Sequence, residues 1–145
     1  MKFKKLVSLS LTMIMSAGIL VGCGSNGDDA SNGEQIKVGM ITDVGGVHDE
    51  SFNQSSWEGL QSIKEEIGED KLYVNYLEST QDSDYKPNIE QFVEEEYDLI
   101  IGVGYKLADA LKEASTNYPD QQFALIDEVY DEQPEKFKAS WTQRT

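Results

Sequence analysis

Apolar residues along this chain follow two alternating rhythms: short β-branched runs, and longer stretches with three- and four-residue spacing. The runs Ile36 to Thr42, Lys71 to Leu77, Leu99 to Val103 and Gln122 to Ile126 each end in polar or glycine-containing residues and are predicted as strands. Between them, Trp57, Leu60, Ile63 and Ile67 recur at helical spacing, as do Leu107, Leu111, Ala114 and Tyr118, so each set is expected to form the buried face of a helix. A middle helix is expected around Ile89, Phe92 and Val93, with Pro87 in its first turn, where a missing N–H costs nothing. Strands that alternate with helices build βαβ units and a mainly parallel sheet. The fold class is therefore α/β, a flavodoxin-like parallel sheet flanked by helices, with the strand order 2-1-3-4.

That topology places the chemistry. Right-handed crossovers bring the C-terminal ends of parallel strands to one edge of the sheet. In this order the loops after the first and third strands diverge to opposite faces and open the crevice in which such sheets bind ligands. Asp43 and the loop to Ser51 follow the first strand, Gly104 and Tyr105 the third, and Asp127 the fourth. Phe52 opens a helix whose buried stripe is already supplied by Trp57, Leu60 and Ile63, which frees its ring to stack on a planar ligand. Asn53 carries a donor and an acceptor, the pair needed at the edge of a heterocycle. Each residue also has a plainer reading: Asp43 as a strand terminus, Gly45 and Gly46 as a turn, and Asp49 or Ser51 as a helix cap.

Charge narrows the partners. The chain of 145 residues holds 12 basic and 27 acidic residues, a net charge of -15, and such a surface repels nucleic acid and other phosphate-rich partners. The first 22 residues read as a lipoprotein signal peptide: Lys2, Lys4 and Lys5 form a basic start, Leu6 to Val21 is uncharged and largely apolar, and Leu20-Val21-Gly22-Cys23 closes it. Cys23 is the only cysteine, which rules out an intramolecular disulfide and a cysteine metal cluster and leaves lipidation as its expected fate. Residues 23–35 are small, polar and acidic, and read as a lipidated flexible tether on the extracytoplasmic face of the cell membrane. About 110 residues remain, enough for one domain.

An enzyme reading would combine Asp43, Asp127 and His48, yet His48 is the only histidine and lies in an acidic loop without defined partners, so neither a catalytic role nor a metal site is expected. Val44-Gly45-Gly46-Val47 lacks the G-x-G-x-x-G spacing that brings backbone amides onto a pyrophosphate, and no cofactor is expected. A cytoplasmic phospho-receiver shares the fold, but the signal peptide argues against that compartment.

The strings GMITDVGGVHDESFNQSSWEGL and DLIIGVGYKLADALKEASTNYPDQQFALID closely resemble the basic membrane protein family, lipoprotein substrate-binding subunits of ABC transporters that include purine-nucleoside receptors. The resemblance covers residues 36–130 and implies the N-terminal lobe of a type I periplasmic-binding-protein-like fold, with permease and ATPase subunits as partners. It also implies roles: Phe52 stacking on the base, Asn53 pairing near it, Asp43 and Asp127 lining the polar part of the cleft, and Gly104 and Tyr105 beside them. Receptors of that family continue well beyond this length, whereas residues 131–145 diverge and stop. A truncated chain that binds nucleosides weakly or not at all is one expectation. A surface lipoprotein without a transport role, or a nonfunctional remnant, is the alternative.

Overall fold

The structure, a computed structural model, describes residues 34–130 and 137–141; the signal segment, Cys23 and the tether up to residue 33 lie outside them, as do residues 131–136 and 142–145. The first four strands form where the apolar runs place them. They are β1 (Ile36–Ile41), β2 (Leu72–Leu77), β3 (Leu99–Val103) and β4 (Gln122–Ile126), and a further strand, β5, spans Phe137–Trp141. All neighbours are parallel and the sheet order is β2-β1-β3-β4-β5, so the expected order holds and is extended by one strand at its edge. The pattern reading had assigned no strand after residue 130. A register shift at Phe123/Ala124 marks where β5 joins β4.

Three helices link the strands: α1 (Phe52–Ile67), α2 (Tyr85–Glu94) and α3 (Ala108–Asn117). On one face, Ile41, Ile100, Phe123 and Leu125 from the sheet are packed with Ile89 and Phe92 of α2 and with Leu107, Leu111 and Ala114 at and within α3. On the other face, Trp57 and Leu60 of α1 lie over Val38, Leu72 and Val74. Helices thus cover both faces, as a parallel sheet requires. Close approach is built into the first face: a Cβ placed on Gly39 would stand 2.7 Å from the Phe92 ring, and one on Gly102 would stand 2.4 Å from Leu111.

One expectation fails on α1. Ile63 and Ile67 were expected in its buried stripe, but they are 48% and 40% exposed. The sheet contacts of this helix come from Phe52, Trp57 and Leu60, nearer its start. A helix of 16 residues is about 24 Å long against about 20 Å for a six-residue strand, so the apolar period outlasts the surface it can cover.

Candidate functional site

The crevice forms where β1 and β3 lie side by side and their following loops part, one to α1 on one face and the other to α3 on the opposite face. Thr42, fully buried, closes β1: its hydroxyl donates to the Asp43 carbonyl at 2.9 Å and accepts from the Ser79 amide at 3.3 Å. Asp43 follows. Its Oδ1 accepts from the Gly45 amide at 2.9 Å and from Asn53 Nδ2 at 2.8 Å. Its Oδ2 faces Gly104, where a Cβ would stand 3.2 Å away. Gly104 has φ +99, a conformation that glycine adopts without a steric cost, and its amide donates to the Ile126 carbonyl at 3.0 Å. The ends of β1, β3 and β4 are thereby tied together.

Asp49 caps α1, in agreement with one of the two plainer readings. Its Oδ1 accepts from the amides of Ser51 at 2.8 Å and Gln54 at 3.1 Å, and its Oδ2 accepts from the Asn53 amide at 3.2 Å and from Asn53 Nδ2 at 2.9 Å. Burial acts to raise the Asp49 carboxyl pKa, but the donors from Gln54, Ser51 and Asn53 outweigh it and hold the group below the ordinary carboxylate value. Ser51 itself makes no side-chain cap.

Asn53 is placed differently from its expected role. It is 2% exposed, both protons of its amide are spent on Asp43 and Asp49, and its Oδ1 is buried with no hydrogen-bond partner among the described residues. Phe52 is half-buried, packed with Met40, Val47 and Val103 at the base of the crevice. Tyr105, next to Gly104, is 60% exposed. Asp127 directly follows β4 with φ 72, a left-handed conformation that Asp tolerates better than most residues and that merits a functional explanation. The structure therefore joins Asp43 and Asn53 by a hydrogen bond, brings Gly104 close enough that a Cβ there would crowd Asp43, and sets Phe52, Tyr105 and Asp127 at the ends of the adjoining elements. His48 is exposed.

Three further residues belong to this edge. Glu78, directly after β2, accepts the Val47 amide on Oε1 at 2.8 Å and so pins the loop after β1 to the neighbouring strand. Tyr85 is 3% exposed and its hydroxyl donates to Asp82 at 3.1 Å. Burial, then the bond to Asp82, then the charges of Asp82 and Asp43 push the Tyr85 phenol up to about 12, so it remains a neutral donor throughout the physiological range. The rule that picked out Asp43 and Asp127, a polar residue directly after a strand, also selects Glu78. Tyr85 gave no signal beyond an ordinary core aromatic.

A wide depression lies elsewhere. About 870 Å³ opens at the N-terminal edge of the sheet, among Ile36, Tyr97, Leu99, Tyr118, Pro119 and Gln122. Polar groups lining it serve the fold: the Asp98 carboxylate accepts the Lys37 amide at 2.7 Å, and the Gln121 side chain donates to the Tyr97 carbonyl at 2.9 Å. Carboxylates and loops from several strands converge at the C-terminal edge, which makes it the candidate site.

Comparison with known proteins places these features in a family. A family model described as Bmp, ABC transporter substrate-binding protein PnrA-like, matches residues 36–142, which takes in β5. The chain is 45% identical over 139 residues to a CD4+ T-cell-stimulating antigen of Listeria innocua, with 89% of this chain and 38% of that protein covered. It is 35% identical to the ABC transporter nucleoside-binding protein BmpA of Lactococcus lactis, with 90% of this chain and 38% of that protein covered. A solved fragment described as a lipoprotein, from Peptoclostridium difficile 630, superposes with a TM-score of 0.65 at 34% identity, covering 73% of this chain and 85% of the fragment. The chain thus spans 38% of the length of both curated relatives.

Proposed function

The chain belongs to the Bmp family of PnrA-like ABC transporter substrate-binding proteins, and from that premise we propose that it is a lipid-anchored receptor lobe that takes purine nucleosides at the crevice between β1 and β3. The observation that carries the reading is the carboxylate of Asp43, held from one side by Gly45 and Asn53 while Oδ2 stands over Gly104 and accepts no hydrogen bond among the described residues. A carboxylate presented in this way accepts hydrogen bonds from ribose hydroxyls or base N–H groups. Phe52 offers the base a ring from α1, Tyr105 a second aromatic edge from beyond β3, and Asp127 a second carboxylate from the end of β4. The name of the Lactococcus relative supports a nucleoside as the ligand.

The edge disfavours phosphate. Asp43, Asp49, Glu78, Asp82 and Asp127 stand against Lys106, whose ammonium lies 3.9 Å from Asp82. A nucleotide would bring its phosphate against like charge. Nothing in this arrangement calls for bond-making chemistry, and the role is binding and delivery to permease and ATPase subunits. Cys23, outside the described residues, carries the anchor in this reading, in keeping with the lipoprotein description of the superposed fragment.

Equilibrium dialysis of the chain against guanosine, inosine and adenosine, each beside its 5′-monophosphate, tests the ligand class. Nucleosides are expected to bind in preference to monophosphates, and more so at low salt. Preference for a monophosphate at low ionic strength, or a folded Phe52→Ala chain with undiminished nucleoside affinity, contradicts the reading.

A further inference from the structure

We infer that Asn53 is a positioning residue and not a ligand contact: its side-chain amide clamps the Asp43 and Asp49 carboxylates together and so aims the free oxygen of Asp43 into the crevice. The inference rests on the reading of Asp43 as a ligand acceptor, and changes what Asn53 does for it.

Geometry carries the argument. One NH2 group donates to Asp43 Oδ1 at 2.8 Å and to Asp49 Oδ2 at 2.9 Å, which uses both of its protons. Two carboxylates meeting at one nitrogen repel each other unless a donor stands between them. Asn53 is 2% exposed, so no part of it is presented to a ligand, and its Oδ1 is left buried without a partner. An orphaned buried acceptor is a recognised cost in a folded protein, and here it accompanies a geometry in which the opposite end of the side chain makes two charge-assisted bonds. The clamp also joins two functions. Asp49 caps α1 through Ser51 and Gln54, so the same amide that orients Asp43 ties it to the start of the helix that carries Phe52. With Gly45 on Oδ1 as well, Asp43 has one orientation, with Oδ2 over Gly104.

The other titratable groups at this edge are His48 and Glu50 in the loop after β1, Glu78 after β2, Asp82 and Tyr85 before and at the start of α2, Tyr105 and Lys106 after β3 and Asp127 after β4. Asp82 and Tyr85 are paired with each other, and Glu78 is paired with the Val47 amide. None of the hydrogen bonds among the described residues puts a second side-chain donor on Asp43. Truncation of Asn53 therefore removes the donor that bridges the two carboxylates and leaves each with its backbone amides alone.

The test reads the carboxyl groups directly. In the full chain, selectively 13C-labelled aspartate carboxyls are titrated by NMR without ligand, with Asp49 assigned by its loss in Asp49→Asn. In Asn53→Ala the Asp49 midpoint is expected to rise, because a donor to it is lost and the Asp43 carboxylate is no longer bridged to it. Adding Asp43→Asn, which removes the neighbouring charge, is expected to return the midpoint toward the wild-type value. Guanosine binding to Asn53→Ala is expected to weaken about tenfold at neutral pH. Should Asn53→Ala not fold, Asn53→Ser keeps one donor and carries the same titration. An Asp49 midpoint unchanged in whichever folded variant is measured, or a rise that Asp43→Asn does not reverse, overturns the clamp. Shifted titrations together with no nucleoside binding by the wild-type chain would instead uphold the clamp and reject the nucleoside reading, so the two can fail separately.

Discussion

Asp43 shows how much of the site depends on single atoms. Its two oxygens differ in environment: Oδ1 is held by two donors, and Oδ2 accepts no hydrogen bond among the described residues and lies where a Cβ on Gly104 would come within 3.2 Å. Gly104→Ala adds a methyl group 3.2 Å from that oxygen and forces a non-glycine residue to φ +99. The expected loss is about 1–2 kcal/mol of stability, measured by urea unfolding, with weaker nucleoside binding on top; an unchanged midpoint and affinity would show that the close approach relaxes freely. Asp49 gives a pH signature. Because its folded carboxyl lies below the ordinary value, its contribution to stability is fully present above the unfolded value of about 3.9 and is lost as pH falls through the folded value. Asp49→Ala is expected to cost about 1 kcal/mol at neutral pH and to flatten the acid limb of the stability curve. Unfolding midpoints from pH 2 to 7 for both chains check this, and parallel curves would remove Asp49 as the titrating cap.

Among the elements, α1 and α3 are fitted to the sheet in opposite ways. α3 lies close: the Cβ that Gly102→Ala would add falls 2.4 Å from Leu111 and 3.2 Å from Leu107, both fully buried, so overpacking of about 1–3 kcal/mol is expected. α1 leaves room on its outer side, where a Cβ on Gly59 meets nothing within 4 Å. Gly59→Ala is therefore expected to stabilise the chain by about 0.5–1 kcal/mol through helix propensity alone. Thermal unfolding of the two variants gives opposite signs on this account, and a destabilised Gly59→Ala would mean that the outer face of α1 is covered after all. The same looseness explains Ile63 and Ile67, which keep the helical period but stand half in solvent.

At the scale of the whole molecule, net charge and family set what the fold is used for. With a net charge of -15 and carboxylates at the C-terminal edge of the sheet, the proposed crevice is expected to take uncharged, hydroxyl-rich ligands more readily than phosphates. Anchoring is tested separately from binding: labelling cells with a fatty-acid analogue should mark the wild-type chain, and Cys23→Ser should lose the mark and release protein from membranes. Equal labelling of the two forms would remove the lipid anchor while leaving the crevice untouched.

What the sequence determined by itself was most of what depends on local period and on position along a strand, with Ile63, Ile67 and β5 as exceptions. Alternating runs specified four strands, the flavodoxin-like order followed from the fold class, and position after a strand brought Asp43, Gly104 and Asp127 to one edge, because a parallel sheet sends all its C-terminal ends one way. Asp49 was legible as a cap because capping is decided within a few residues. The direction of the Asn53 side chain, the reach of Glu78 to Val47 across 31 positions and the pairing of β5 were decided only in the folded chain. Each depends on the register of strands distant in sequence, or on which buried donor meets which carboxylate. A heterocycle edge uses the donor and the acceptor of an asparagine amide and a pair of neighbouring aspartates uses two donors; the sequence fits either, and the packed position of α1 against β1 brings the amide to the aspartates.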